Sequence, residues 1–473
     1  MTNVKMSYMP LTPTTICPPE LLRAVAEQRG LVVLVVGAGC SLDSPTDLEL
    51  SRVYAIEANR RLEEDGILTP GECPDPTDLS AVASTVHTKT GSQAAVVERL
   101  PRPEFRTARA NDGYLIAAAL LRERAIGCVM TLNFDLAMSD ALTDLSAEEV
   151  AVVTGPQDLH DLGSAAVIYL HRNVDEADAE KWILRKEALA EEWRDEWQEV
   201  VAQRVMASPA TVFVGLGSPA AVLTETITRI RSAVADADAL RAYVVDPAET
   251  TAFQTAINLP PEAHIQMGWR AFMQLLGGRV VAEQRAALHT ACQTLCTNNE
   301  WEAETEFVES LCHRFGALGL VLVGRLRAHW LLSSRGYAPD DERRPLLADL
   351  LLAVGLIERS VQGTAYFRED GVVEFRHDGK IVATVLLASG GGSQRWSALE
   401  VRLAAVVSEI RAEVRPTHAI VGGAQGIQQR DVTPPQDVIS GDVDEDIIDG
   451  PQLRMLAVDE LRTNPEALAQ LAA

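Results

Sequence analysis

The sequence predicts a doubly wound α/β domain with a mostly parallel sheet, followed by a helical region and a small α+β region. Short apolar runs recur between residues 31 and 266, and amphipathic stretches separate them. These runs lack an alternating polar face, which is typical of parallel strands covered by helices on both sides. After about residue 267 helical periodicity replaces the runs, so we expect a second region to begin there.

Five apolar runs supply the predicted strands of the first region. In chain order they are LVVLVVG from Leu31, AIGCVMTLNFD from Ala125, AAVIYLH from Ala165, TVFVGLG from Thr211 and RAYVVDP from Arg241. The first is followed by a helix, because apolar side chains repeat at helical spacing at Leu50, Tyr54, Ala58 and Leu62.

The patterns along the whole chain predict four domains, at residues 1–275, 276–360, 361–425 and 426–473. Helical periodicity continues to about Ile357, and the Asp378-Gly379 pair between two β-rich runs is a strong hairpin signal. An amphipathic stretch and the run HAIVGG complete a small α+β module. From about Gln425 the chain is rich in aspartate with little periodicity, so we expect an acidic, loosely ordered tail with a possible final helix.

Composition and charge disfavour several classes of function for this chain: nucleic-acid binding, structural metal binding and membrane insertion. A formal net charge of −25 argues against a broad nucleic-acid interface, which needs clustered Lys and Arg. The seven cysteines are odd in number and form no CxxC pair, which favours a reducing, cytoplasmic compartment and predicts no metal site. The N-terminus lacks an apolar signal core and no apolar run is long enough to span a bilayer, so no membrane role is expected.

The first strand runs directly into Gly37-Ala38-Gly39. A glycine-rich turn at the carboxyl end of such a strand can admit a phosphate to backbone amides and a helix N-terminus. The sequence GAGCS lacks the full GxGxxG spacing, and tight strand-to-helix turns often contain glycine for steric reasons alone. Both interpretations stay open at this point.

Polar or small residues also follow the other four strands. They are Asn133 and Asp135 in TLNFD, His171 in VIYLHRN, Gly215, Gly217 and Ser218 in VFVGLGS, and Asp246 in VVDP. Because the carboxyl ends of parallel strands meet at one edge of a sheet, we expect these residues to line one crevice. That distribution indicates a dinucleotide site.

The order GAGCS, TLNFD, LH, FVGLGS and VVDP resembles the SIR2-like (sirtuin-type) NAD-binding domain, especially its divergent bacterial branch in anti-phage defence, over about residues 30–270. The resemblance implies that NAD phosphates lie at Gly37, Ala38, Gly39 and Ser41, and the adenosine half towards Gly215, Ser218 and Asp246. It implies catalytic roles for Asn133 and Asp135 at the nicotinamide side and for His171 at the ribose hydroxyls.

The chain departs from the deacylases of that family, because it has no paired cysteines for a zinc module and Arg172 stands where a glycine commonly follows the histidine. The resemblance therefore favours a zinc-independent NAD+ glycohydrolase that depletes NAD+ in anti-phage defence. The alternatives are a catalytically silent NAD- or nucleotide-binding regulatory protein or scaffold and, less favoured, an NAD-dependent deacylase.

The C-terminal half is expected to mediate homo-oligomerisation or to bind a partner defence protein. Glu374, Asp378 and Lys380 near the predicted hairpin raise the alternative of a nuclease site there. A solvated turn accounts for them better, because a metal site needs carboxylates that converge from separate strands.

Overall fold

A computed structural model describes residues 17–163, 165–185, 187–188, 201, 208–216, 224, 228, 241–248, 252–298, 305–330, 344–389, 403, 406–408, 410, 415–416, 418–422 and 453–471. The chain divides into two compact units, Met1–Val280 and Val281–Ala473. Each unit has its own sheet.

The first unit alternates strands and helices. Its strands are β1 (Val32–Val36), β2 (Cys128–Thr131), β3 (Ala151–Val153), β4 (Ala166–Tyr169), β5 (Ala210–Val214), β6 (Arg241–Asp246) and β7 (His264–Gln266). Its helices are α1 (Pro19–Ala26), α2 (Ser51–Glu64), α3 (Leu79–Thr90), α4 (Ala94–Val97), α5 (Arg102–Arg106), α6 (Asp112–Arg122), α7 (Ala137–Asp144) and α8 (Ala252–Ala256), after which α9 (Trp269–Asn298) begins. The predicted helix after the first strand corresponds to α2.

The strands form one sheet of seven described strands in the order β3-β4-β2-β1-β5-β6-β7, and every described pairing is parallel. The chain moves outward from β1 through β2 and later returns to place β5 on the other side of β1, so the topological switch point lies between β1 and β5. Every residue of β1, β2, β4 and β5 is buried, as expected of strands covered on both faces. The predicted fold class is confirmed.

The second unit contains α10 (Thr305–Gly316), α11 (Leu320–Trp330), α12 (Arg344–Val361), α13 (Val458–Thr463) and α14 (Pro465–Gln470). Its strands are β8 (Thr364–Phe367), β9 (Val372–His377), β10 (Lys380–Ser389), β11 (His418–Gly422) and β12 (Arg454–Ala457). They form a sheet in the order β12-β11-β10-β9-β8, with antiparallel pairings among β8, β9 and β10 and parallel pairings among β10, β11 and β12. The predicted hairpin is present, with Lys380 paired to His377 across the Asp378-Gly379 turn.

One hydrophobic core joins the helices and the sheet of the second unit. It includes Cys292 of α9, Leu351 of α12, Val385 of β10 and Leu461 of α13. Residues 453–471 are ordered where a loosely ordered tail was expected, since β12 pairs with β11 and the following helix buries Leu461. The possible final helix of that expectation corresponds to α14. Residues 423–452 lie outside the described part of the chain. No helix among the described residues is long and apolar enough to cross a membrane.

Candidate active site at the carboxyl edge of the parallel sheet

The carboxyl ends of four adjacent strands, β4, β2, β1 and β5, bring candidate residues to one edge. The last residues of these strands are in register across the sheet: Tyr169, Thr131, Val36 and Val214. Gly37 and Gly215 each follow their strand by one residue, whereas Asn133 and His171 each follow by two. Because neighbouring strands are about 4.8 Å apart, these residues occupy corresponding places along one short stretch of the edge.

The glycines of the first turn allow this turn to lie against the end of β5. The amides of Gly37 and Gly39 donate to the carbonyls of Val214 and Gly215, both at 3.0 Å. A Cβ on Gly39 would lie 2.8 Å from the Cα of Gly215, and a Cβ on Gly215 would lie 2.7 Å from the amide nitrogen of Cys40. Gly215 also has a φ of +68°, a conformation that favours glycine. The close approach that requires these glycines is therefore between two segments of the chain itself.

Four buried side chains from three separate segments form one hydrogen-bonded group, the Ser41 cluster, which consists of Ser41, Tyr114, Asn133 and Asp135. The hydroxyl of Ser41 donates to Oδ2 of Asp135 at 2.9 Å and lies 2.8 Å from the hydroxyl of Tyr114. Nδ2 of Asn133 is 3.2 Å from both hydroxyl oxygens and donates to them. The structure thus brings together three sequence-predicted residues and adds Tyr114.

Asn111 holds the segments that carry this cluster. It is the N-cap of α6, and its Oδ1 accepts hydrogen bonds from the amides of Gly113 and Tyr114. Its Nδ2 donates to the carbonyl of Cys40 at 2.9 Å, next to Ser41. The indole of Trp269 donates to the same Oδ1 at 3.2 Å. One buried asparagine therefore connects the glycine turn, the start of α6 and the start of α9.

Aromatic stacking fixes the loop that carries Asn133 and Asp135. Phe134, which lies between them, stacks on Trp182 with ring centroids 4.6 Å apart and an interplanar angle of 25°. The carbonyl of Phe134 accepts a hydrogen bond from the amide of Val174 at 2.9 Å. Because Phe134 is held on both its ring and its backbone, the polar residues on either side of it have little freedom.

His171 is buried without a partner for its Nε2. The residue is 7% exposed, and no described group forms a hydrogen bond with this nitrogen. Burial lowers the pKa of His171 to about 4 from 6.5. The imidazole is therefore neutral at neutral pH and can accept a proton or a hydrogen bond.

Asp135 is buried without a cationic partner among the described residues. Its Oδ1 accepts from the amide of Ala137 at 3.0 Å, and its Oδ2 accepts from Ser41. Burial raises the pKa of Asp135 above its ordinary value, against these hydrogen bonds. Among the described residues, Asp135 thus accepts hydrogen bonds from neutral donors only.

Arg172 is held within the structure rather than solvated at the end of its strand. It is buried, and its Nη1 donates to the carbonyl of Thr154 at 2.5 Å. Its φ is +70°, a conformation in which a non-glycine residue is strained.

The adenosine-side candidates are less well connected to the cluster. Asp246 ends β6, the strand beyond β5, and its Oδ1 accepts from the amide of Ala248 at 2.8 Å. No described hydrogen bond joins Asp246 to the Ser41 cluster. Ser218 and Gly217 lie outside the described residues.

Sequence reasoning missed Asn111, Tyr114 and Trp269. The contact of Tyr114 with Ser41 joins residues 73 positions apart, and that of Trp269 with Asn111 joins residues 158 apart. The available signal was local, since Asn-Asp-Gly before an apolar run marks a helix start, and an aromatic residue in the first turn of that helix lies near its N-cap. The signal does not say what the tyrosine contacts.

The second unit also buries a carboxylate, on β9. Glu374 accepts from Nη1 of Arg368 at 2.8 Å and from Nη2 of Arg376 at 2.6 Å. Burial alone would raise the pKa of Glu374, but the hydrogen bonds from the two arginines hold it below its ordinary value. Asp378 is 92% exposed in the hairpin turn and Lys380 is exposed. These residues do not converge on one point, so they do not form a nuclease site.

No family model and no curated protein matches the chain. Solved structures similar to it are Sir2 homologues. A Sir2 homologue mutant in complex with ADP-ribose is 16% identical, covering 56% of this chain and 96% of that chain with a TM-score of 0.31. A Sir2 homologue–NAD complex is 15% identical, covering 56% and 95% with a TM-score of 0.31, and a structure on sirtuin substrate affinity is 17% identical, covering 54% and 94% with a TM-score of 0.28. Values this low do not establish a shared activity, and the fold class rests on strand order and register.

Proposed function

We propose that the first unit is an NAD+ glycohydrolase, which cleaves NAD+ to nicotinamide and ADP-ribose. The observation that carries the proposal is that a neutral His171 with no described partner for its Nε2 follows β4, while residues of the Ser41 cluster follow the neighbouring strands β2 and β1 at the same carboxyl edge. Ligands of such sheets bind at this edge, near the topological switch point. The motif order that resembles the SIR2-like domain points to the same dinucleotide.

The residue types suit cleavage of the bond between nicotinamide and ribose. Nicotinamide leaves as a neutral molecule, so the reaction needs no strong general acid, and the ribose carbon passes through an oxocarbenium-like state as in glycoside hydrolysis. Asp135, which no described cation neutralises, would favour a cationic transition state in its ionised form. The neutral imidazole of His171 accepts a hydrogen bond from a ribose hydroxyl, and Asn133 orients the attacking water.

The remaining candidates bind the rest of the dinucleotide in this proposal. The amides of Gly37 and Gly39 already donate within the chain, so these glycines provide close approach rather than hydrogen bonds. Ala38 and Ser41 begin and end a short 3-10 helix after the turn, where the pyrophosphate would lie. Gly215, Ser218 and Asp246 follow the next two strands and would contact the adenosine half.

Two alternatives remain in the same crevice. A catalytically silent NAD-binding regulator or scaffold would bind the dinucleotide without turnover. An NAD-dependent deacylase would need an acylated peptide, and it is less favoured because the chain has no CxxC pair for the zinc module of that family. We propose that the hydrolase needs no metal.

We further propose a biological role in anti-phage defence, in the cytoplasm, with depletion of NAD+ as the effect. The second unit, with its own sheet and core, would then serve homo-oligomerisation or bind a partner protein. This role rests on the resemblance alone.

The proposal is tested by incubating the full chain with NAD+ and quantifying nicotinamide and ADP-ribose, with a zinc chelator in one arm and an acetyl-lysine peptide in another. The expected result is equal amounts of both products, unchanged by either addition. Release that requires the peptide would establish the deacylase instead. NAD+ binding without any product would establish the silent binding protein.

A further inference from the structure

We propose that Tyr114 is a positioning residue that fixes the orientation of the Asn133 side-chain amide. The geometric part follows from the Ser41 cluster alone, whereas its kinetic consequence rests on the proposed function. Tyr114 belongs to none of the sequence motifs, and it contacts two residues of those motifs through one hydroxyl group.

The carboxylate of Asp135 sets the direction of the hydrogen bonds. A carboxylate only accepts, so Ser41 gives its single hydroxyl hydrogen to Oδ2 of Asp135 at 2.9 Å. The oxygen of Ser41 therefore faces the hydroxyl of Tyr114, 2.8 Å away, as an acceptor. Tyr114 must donate to Ser41.

The direction of the hydrogen bond from Tyr114 to Ser41 also fixes the orientation of the Asn133 side-chain amide. Because the hydrogen of Tyr114 is already used, its oxygen accepts, and Nδ2 of Asn133 donates to it at 3.2 Å. The second hydrogen of Nδ2 reaches the oxygen of Ser41, also at 3.2 Å. A reversed amide would turn Oδ1 towards Ser41, which has no hydrogen left to give. The observed orientation leaves Oδ1 of Asn133 without a hydrogen-bond partner among the described residues.

The tyrosine itself is firmly held. It is fully buried in the first turn of α6, and its amide donates to Oδ1 of Asn111 at 3.2 Å. Its ring meets that of Trp269 edge to face, with centroids 5.7 Å apart. Gly113 leaves room for this indole, since a Cβ there would overlap Trp269. A rigid hydroxyl is what an orienting contact requires.

In the proposed reaction, Oδ1 of Asn133 accepts a hydrogen bond from the attacking water or from a ribose hydroxyl. An amide free to rotate would present Nδ2, a donor, in part of the population. Tyr114 does not touch the substrate, so its loss should lower kcat and leave KM for NAD+ unchanged. Misplacement of a reacting group commonly costs about tenfold to a hundredfold in rate.

The test compares Tyr114→Phe with Tyr243→Phe, since Tyr243 is also buried and its hydroxyl contacts Glu20 and Arg241, which are not residues of the Ser41 cluster. Protein labelled with ¹⁵N at asparagine reports hydrogen exchange of the Asn133 side-chain NH2 group, which is assigned by its loss in Asn133→Asp. We expect exchange at least about tenfold faster in Tyr114→Phe and unchanged in Tyr243→Phe. Equal exchange in wild type and Tyr114→Phe overturns the proposal. If Tyr114→Phe does not fold, the wild-type protein decides: slow exchange of both Nδ2 hydrogens of Asn133 with a nuclear Overhauser effect from one of them to the Tyr114 ring supports the orientation, and rapid exchange without that effect overturns it.

The kinetic arm uses the same variants in the nicotinamide assay. A lower kcat with an unchanged KM in Tyr114→Phe supports positioning, and a raised KM with an unchanged kcat contradicts it. If wild-type protein releases no nicotinamide, the proposed function fails, and the exchange measurement still decides whether Tyr114 orients Asn133.

Discussion

Two buried carboxylates, Asp135 in the first unit and Glu374 in the second, are held in opposite ways. Glu374 lies between two arginines, and its pKa is below its ordinary value. Asp135 accepts from the hydroxyl of Ser41 and from backbone amides, with no cation among its described partners, and its pKa is raised by burial. In the second unit two arginines neutralise Glu374, whereas in the first unit no described cation neutralises Asp135.

The difference supports the proposal that the reacting groups lie in the first unit. A buried carboxylate without a cation costs stability, so a fold selected for stability alone would pair it or remove it. The same edge also buries the unpartnered Nε2 of His171. Perturbed, unsatisfied groups that gather in one place are typical of functional sites, while the pairing of Glu374 with Arg368 and Arg376 is typical of a structural one.

The largest expected effect that follows from this comparison is on catalysis. His171→Ala should reduce nicotinamide release by about 10²- to 10⁴-fold, the usual contribution of a positioned acid–base group. His418→Ala is the control, since this half-buried histidine is on β11 of the second sheet. Equal loss in the two variants, or loss in neither, would contradict the assignment of His171.

The second effect is on stability as a function of pH. The pKa of His171 is lowered from 6.5 to about 4, so between these values the unfolded chain binds a proton that the folded chain does not. The free energy of unfolding should therefore fall as pH falls from 6.5 to 4, by about 3 kcal/mol from this residue. Denaturant unfolding of wild type and His171→Gln at pH 7 and pH 4 measures it. An equal pH dependence in the two proteins would show that the imidazole is not desolvated.

The third effect is a loss of stability in the second unit when the charge of its buried carboxylate is removed. Glu374→Gln leaves two arginines without their carboxylate and should lower the free energy of unfolding of that unit by about 2 kcal/mol, less than for a fully buried pair because both arginines reach solvent. Nicotinamide release by the folded variant should not change. A loss of release at unchanged stability would place Glu374 in the reaction.

The smallest expected effect is on substitution of single glycines, and it distinguishes the cost of steric crowding from the cost of backbone strain. Gly215 and Gly66 have similar φ values, +68° and +72°, but only Gly215 is crowded, whereas a Cβ on Gly66 would meet nothing within 4 Å. Gly66→Ala should cost about 1 kcal/mol of stability and leave NAD+ affinity unchanged. Gly215→Ala should cost about 2 kcal/mol and weaken NAD+ binding, because the turn must move. Calorimetric titration with NAD+ and thermal unfolding of both variants measure the contrast; identical behaviour would mean that the close approach is unimportant.

Local patterns predicted the central strands, because each is an apolar run with a glycine or polar residue at its end or within two residues after it; these strands are β1, β2, β4, β5 and β6. They did not predict β3 and β7, each three residues long and partly exposed, since so short a segment has no distinct pattern. The order of residues 453–471 was not predicted for another reason. The many aspartates before residue 450 led us to expect that the loosely ordered segment continued to the end of the chain, whereas residues 453–471 pair with β11 and pack into the core of the second unit.

The site was predictable only in part. Asn133 and Asp135 were identified from a strand end and Ser41 from the resemblance to the SIR2-like domain, and the three do join in one cluster. Tyr114 and Trp269 complete it through contacts between distant parts of the chain, which no spacing in a single sequence encodes. The glycine turn shows a different limit of sequence reasoning. The motif itself was recognised, but the sequence did not reveal that its glycines pack against the end of β5.

The most direct test of the central claim is nicotinamide release from saturating NAD+ by wild type, Asn133→Ala and Glu374→Gln, with NAD+ binding measured on the same samples. The account predicts release by wild type and by Glu374→Gln, and loss of release with binding retained in Asn133→Ala. Equal release by wild type and Asn133→Ala would contradict it, since the uncompensated polar cluster at the sheet edge would then take no part in the reaction.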